Sequence, residues 1–130
     1  MATRLMLLIL GAFHFVNGLW MLAMPMAWYA AIPGVRDTGP LNHHFVADIG
    51  LAFLASGTGL ALGALRRPWA GAMAVAGATW PALHALLHVW GWLAHGFPTA
   101  PPVIISELIG VVGIGILGAV LAWARVKQVA

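Results

Sequence analysis

Histidine and carboxylate side chains recur inside apolar stretches of this sequence, at spacings that place them on shared helix faces. His84 and His88 are four residues apart, as are His44 and Asp48, and residues at that spacing are neighbours on one face of an α-helix. Imidazole and carboxylate groups are ligands for iron, zinc and manganese. They also carry protons inside membranes. The candidate metal ligands are His14, His44, Asp48, His84, His88 and Glu107.

The composition identifies the solvent around these groups as lipid. The 130 residues are 62% hydrophobic and 7% charged, with a mean hydropathy of +0.96, whereas soluble domains are about 25% charged. The basic residues lie near the ends of apolar stretches, as topology signals do, so we expect a bilayer and no nucleic-acid partner. The absence of cysteine excludes disulfides and thiolate ligands.

Four apolar stretches predict the elements that position these residues. They cover residues 5–26, 45–65, 69–95 and 103–124, and each reaches the roughly 20 residues needed to cross a bilayer. The expected fold is all-α, one domain over 1–130 with four transmembrane helices in an antiparallel bundle. All basic residues except Arg36 fall on one side, so the positive-inside rule makes both termini cytoplasmic.

The segment 27–44 predicts a structured outer loop rather than a simple connector. It is rich in turn-forming and polar residues, and we expect it to fold over the outer mouth of the bundle. Asn42 is a candidate cap for the second helix. Pro81 is expected to kink the third helix one turn before His84. Glycines predicted to allow close helix packing are Gly59, Gly63, Gly110, Gly113, Gly115 and Gly118.

Depth in the membrane predicts that the candidate ligands converge. His14 lies on the order of 15–18 Å below the outer end of its helix at about 1.5 Å per residue, and Asp48, His88 and Glu107 share a level nearer the boundary. Turning such groups toward lipid costs several kcal/mol each. We therefore expect one cluster inside the outer half of the bundle. The predicted supporting residues are Asn17, Arg36 and Asp37.

This expected cluster is compatible with three kinds of function, and the sequence leaves open whether any is enzymatic. The first is a metal or haem site, with redox chemistry as one use. The metal would be iron, zinc or manganese, and copper is weaker because it would rely on methionines near the outer end of the first helix. Haem b would take His14 and either His84 or His88 as axial ligands, with Arg36 near a propionate.

The second kind of function is structural, in a non-enzymatic accessory subunit of a larger membrane complex or a homo-oligomer. The polar residues would then only tie helices together. The third is proton or small-solute transfer through the polar residues. The cytoplasmic half is apolar, for example over 114–124, which argues against a channel through one copy.

One segment resembles a known group of proteins. It reads Ile32-Pro33-Gly34-Val35-x-Asp37-Thr38-Gly39-Pro40-x-Asn42-x-His44-Phe45-Val46-x-Asp48-Ile49-Gly50. The pattern is similar to one in small uncharacterised bacterial four-helix membrane proteins that are broadly DoxX-like. The resemblance implies a multi-pass protein of the bacterial inner (plasma) membrane, with quinone-linked redox chemistry in some members of the wider group.

Overall fold

The computed structural model describes residues 1–129, which are all-α and contain no strand. The helices are α1 (Ala2–Ala23), α2 (Pro25–Ala31), α3 (His43–Gly63), α4 (Ala70–His95) and α5 (Pro101–Val129). Helices α1, α3, α4 and α5 are long and apolar enough to cross a membrane. The all-α prediction is confirmed, and these four helices correspond to the four apolar stretches. This is the pattern of a multi-pass membrane protein.

The first spanning helix ends earlier than the sequence pattern predicts. It stops at Ala23 instead of continuing to residue 26, and Pro25 takes the first position of the short helix α2. Proline lacks an N–H and fits that position, whereas in a helix interior it breaks the hydrogen-bond ladder. The Trp28 indole N–H donates to the Asn17 side-chain oxygen at 3.0 Å and so fastens α2 to α1.

The connection from α2 to α3 is ordered by local hydrogen bonds. A 3₁₀ turn covers Val35–Thr38, and the Tyr29 hydroxyl donates to the Gly39 carbonyl at 2.7 Å. The Phe45 backbone N–H donates to the Asn42 side chain at 3.1 Å, so Asn42 is the N-cap of α3. The predicted capping role of Asn42 is confirmed, and the segment 27–44 has structure of its own.

Two arginines cap the carboxyl end of α3, at what we call the Arg125 end of the molecule. Arg125 is buried and donates to the Gly63 carbonyl at 2.8 Å and to the Leu65 carbonyl at 2.6 Å. Arg4 donates to the Ala64 carbonyl at 2.5 Å. The last carbonyls of a helix have no partner within the helix and carry partial negative charge. The two guanidinium groups satisfy both needs and join three helices.

Glycines allow the spanning helices to approach closely. Helix α3 packs between α1 and α4, and α5 packs on α4. A Cβ atom added at Gly59 would lie 2.7 Å from the Gly77 Cα, and one added at Gly115 would lie 2.5 Å from the Pro81 carbonyl oxygen. The packing role predicted for Gly59 and Gly115 is confirmed. The prediction is wrong for Gly110, where an added Cβ would meet nothing within 4 Å.

The last spanning helix changes its winding near the end that carries Glu107. Helix α5 is α-helical over Pro101–Ile105, π-helical over Ser106–Gly113 and α-helical again over Ile114–Val129. It therefore extends beyond the predicted 103–124 at both ends. A π-helical segment is rare, and such segments are frequent at functional sites. This one contains the only acidic residue of α5, Glu107.

Candidate functional site

Glu107 is held against two side chains of α4 one helical turn apart. The Trp92 indole N–H donates to Glu107 Oε2 at 2.6 Å. His88 Nδ1 lies 3.5 Å from the same oxygen, and the side chains of His88 and Glu107 are 25% and 22% exposed. Both contacts are to Oε2, so neither uses Oε1. The carboxylate is therefore oriented on one side by a strong donor and has a second oxygen free of both contacts.

A groove of about 430 Å³ opens beside this pair, and we call it the Glu107 groove. It lies between the carboxyl end of α4, the connection that follows it and the start of α5. Trp90, which is 67% exposed, and Gly91 help to line it, and an added Cβ at Gly91 would meet nothing within 4 Å. The full lining is Leu87, His88, Trp90, Gly91, Trp92, His95, Gly96, Pro98 and Glu107.

The connection between α2 and α3 reaches the same carboxylate. Gly34 has a left-handed backbone with φ of 86°, and a Cβ built there would lie 3.1 Å from a methyl of Val103 and 3.9 Å from Glu107 Oε1. A side chain at this position would therefore be strained and crowded. Glycine lets the backbone pass close to the free oxygen of Glu107, which places part of the 27–44 segment beside the site.

A series of aromatic and imidazole rings leads from this site into the bundle. His84 and His88 are in edge contact with ring centres 4.9 Å apart, and Trp80 stacks on His84 at 4.8 Å with an interplanar angle of 13°. Phe53 of α3 contacts Trp80 at 4.7 Å and stacks on His14 of α1 at 5.4 Å. His14 is buried at 3% exposure, and its Nδ1 has no hydrogen-bond partner in residues 1–129.

The structure does not bring the six predicted metal ligands into one cluster, because they lie in three places. His88 contacts both Glu107 and the His84 ring, whereas two aromatic rings, Phe53 and Trp80, lie between His14 and His84. His44 and Asp48 form their own pair at 3.5 Å, with side chains 89% and 56% exposed. Within the described residues no three His or acidic side chains are grouped as a metal site requires. Similar depth in the membrane did not bring these residues together, because depth along a helix does not fix which face of the helix a side chain occupies.

The residues present also do not fit the predicted haem. A haem ligated by His14 and by His84 or His88 needs open space between those imidazoles. The rings of Phe53 and Trp80 occupy that space, in contact with both ends of the series. Arg36, expected beside a propionate, is exposed in the 3₁₀ turn with Asp37.

Asn17, the remaining supporting residue, has a packing role rather than a role in the site. Its side-chain oxygen accepts the Trp28 hydrogen bond, and its amide points to the Met21 sulfur at 3.7 Å. Trp92 was not predicted as a partner of Glu107. The signal was its position four residues after His88, on the same helix face, together with an indole N–H that needs an acceptor when partly buried.

A second groove, of about 450 Å³, lies between α3 and α4 and has a different character. It is lined mostly by small and apolar residues, including Gly59 and Ala76. The Thr58 hydroxyl at its edge donates within its own helix, to the Leu54 carbonyl at 2.8 Å. This groove therefore contains no titratable group with which to do chemistry, and the Glu107 groove is the candidate site.

The chemistry open to the Glu107 groove is hydrogen-bond acceptance and proton exchange. A carboxylate offers about four lone-pair sites, of which the Trp92 and His88 contacts use part of one oxygen. Imidazole can take or release a proton near neutral pH.

Comparison of the chain with protein-family models, with curated proteins and with solved structures found no match.

Proposed function

We propose that the protein binds a small amphiphilic molecule in the Glu107 groove, where Glu107 and His88 accept a hydrogen bond or a proton from its polar group. The observation that carries the proposal is the Trp92 bond to Glu107 Oε2, beside an open groove, on a π-helical segment. It fixes one carboxylate oxygen and leaves the other for a ligand. Small-molecule sites are typically apolar clefts with a few oriented polar groups.

The amphiphilic character of the ligand follows from what lines the groove. Leu87 and Trp90 are 62% and 67% exposed on a spanning helix, so they face lipid in a membrane. Glu107 and His88 are partly exposed beside them. A molecule that enters from the lipid would place its apolar part against these side chains and its polar group against the carboxylate.

We further propose that the four spanning helices form an antiparallel bundle in the bacterial inner membrane, with both termini cytoplasmic and the Glu107 groove in the outer half. The Arg125 end supports this orientation, because it contains Arg4 and Arg125 and the adjacent Arg66 and Arg67. Basic residues are enriched on the cytoplasmic side. The DoxX-like resemblance implies a hydroquinone as one ligand to test, since its hydroxyls would donate to a carboxylate.

The test is equilibrium binding of a hydroxyl-bearing amphiphile, such as a decyl hydroquinone, to protein in nanodiscs. Gly91→Leu should fill the groove and abolish saturable binding, since nothing lies within 4 Å of an added Cβ there. Gly110→Leu is the matched control, because Gly110 has the same open space but does not line the groove. The control should bind like the unmodified protein.

Binding that is equal in Gly91→Leu and Gly110→Leu would contradict the proposal. Absence of saturable binding by every amphiphile tested would favour the alternative of a structural subunit. In that case His88, Trp92 and Glu107 would serve only to join α4 to α5. Co-purification of a stable partner, lost on Glu107→Ala, would be the positive sign of that alternative.

A further inference from the structure

The Glu107 groove contains a carboxylate that no lysine or arginine side chain of its lining neutralises. Among the residues that the structure describes there, Glu107 is the one carboxylate. The lining also contains two histidines, His88 and His95, of which His88 lies beside Glu107 at 3.5 Å.

Of the six lysine and arginine residues of the chain, Arg4 and Arg125 donate hydrogen bonds to carbonyls at the carboxyl end of α3, which is the Arg125 end. Arg36, on the connection whose Gly34 lies near Glu107 Oε1, is exposed and forms no ion pair in residues 1–129. The groove is therefore an acidic site without a fixed lysine or arginine partner.

The same groove presents aromatic rings beside the carboxylate. Trp90 is 67% exposed, and Trp92 is positioned by its own hydrogen bond to Glu107. The face of an indole attracts a cation within about 6 Å of the ring centre, and the attraction strengthens when water is excluded. A partly desolvated carboxylate is also stabilised by a positive charge a few ångströms away.

We infer that the molecule bound in the Glu107 groove is an amphiphilic monovalent cation, with its charge at Glu107 Oε1 and its apolar groups against Trp90 and Leu87. This inference rests on the proposed function and names the class of ligand. An anionic amphiphile would meet the carboxylate without a compensating lysine or arginine. A zwitterionic lipid headgroup is disfavoured for the same reason, because its phosphate has no cationic partner in the groove.

Three probes of similar size and shape separate charge from hydrophobicity. Tetraphenylphosphonium is a cation, triphenylphosphine oxide is neutral and tetraphenylborate is an anion. Their binding would be measured by isothermal titration to protein in phosphatidylcholine nanodiscs, with uptake by empty nanodiscs subtracted. We expect saturable binding of tetraphenylphosphonium to the unmodified protein, removed by Gly91→Leu, and no saturable binding of tetraphenylborate.

Glu107→Gln tests the charge with little change in shape. The amide oxygen can still accept the Trp92 hydrogen bond, so the helices should remain packed. We expect the affinity for tetraphenylphosphonium to fall by about tenfold or more, as loss of one charge-assisted contact implies. The affinity for the neutral oxide should stay within about twofold. Asp48→Asn is the matched control, because Asp48 is a carboxylate four residues from a histidine but lies outside the groove.

The outcomes distinguish this inference from the proposed function. If the neutral oxide binds as tightly as the cation and Glu107→Gln changes neither, the cation inference is overturned and the amphiphile site stands. If no probe and no hydroquinone binds, both fail. If phosphatidylethanolamine in the nanodiscs lowers tetraphenylphosphonium affinity in proportion to its amount, the lipid amine occupies the groove and the inference of a separate solute is overturned. Equal affinity in both lipids supports it.

Discussion

Replacement of Arg125 by methionine tests whether the Arg125 end stabilises the fold. The side chain is 5% exposed and donates to two carbonyls, at 2.8 Å on Gly63 and 2.6 Å on Leu65. A hydrogen bond from a charged donor contributes about 1.5–3 kcal/mol. Two bonds at the lower end of that range give about 3 kcal/mol, and we expect Arg125→Met to lower the free energy of unfolding by that amount.

Lys127→Met is the matched control for this substitution. Lys127 lies two residues from Arg125, is exposed, and has its ammonium 5.1 Å from the Trp123 ring centre. An exposed contact of this kind contributes about 0.5–1 kcal/mol. Arg125→Lys should fall between the two variants, because an ammonium cannot present the planar fork of donors that reaches two carbonyls.

The assay is reversible unfolding by sodium dodecyl sulfate in mixed micelles, followed by circular dichroism. The midpoint and slope give the free energy of unfolding for each variant. A difference of less than about 1 kcal/mol between Arg125→Met and Lys127→Met would refute this prediction, because the two hydrogen bonds of Arg125 would then contribute little beyond an exposed cation.

Three further predictions use the same unfolding assay or a direct probe of one segment. Gly77→Ala should destabilise by about 1–3 kcal/mol because its added Cβ would collide with the α3 backbone, whereas Gly110→Ala, in open space, should be neutral or stabilising. Asn17→Leu should remove the Trp28 hydrogen bond and speed amide hydrogen exchange in α2 while leaving α1 protected. Phe53→Ala should cost about 1–2 kcal/mol, less than the loss of about 3–5 kcal/mol for a fully buried phenylalanine, because Phe53 is half-buried between its ring neighbours; no loss would show that the ring series is loosely packed.

Composition and apolar length were sufficient to predict the four spanning helices. Lipid as solvent requires backbone groups to be paired within each segment, which leaves helices as the solution for stretches of this length. The break at Pro25 could have been predicted as well, because proline fits the start of a helix better than its interior. The apolar run through Met24 and Met26 hid that break, since hydropathy does not report backbone hydrogen bonding.

The site was predicted less well, because depth along a helix does not fix direction around it. His44 and Asp48 were expected near the level of Glu107, but they pair with each other on an exposed part of α3. Glu107 lies in the π-helical segment Ser106–Gly113, whose winding differs from the 3.6 residues per turn that the sequence analysis assumed. Nothing in single-sequence periodicity indicates such a segment, so the angle of Glu107 could not be derived. The pairing of Trp92 with His88 beside one partner could have been predicted, since the two residues share a helix face.

The capping of α3 by Arg4 and Arg125 also sets an order of events during biosynthesis. Arg125 lies 62 residues after Gly63, whose carbonyl it satisfies. When α3 enters the membrane, Arg4 has been made and Arg125 has not. Until α5 is synthesised and inserted, the Gly63 and Leu65 carbonyls must be hydrated at the membrane surface or remain unpaired. The cap of α3 is therefore completed only when the last helix arrives, and a chain that ends before Arg125 would leave these two carbonyls without their guanidinium partner.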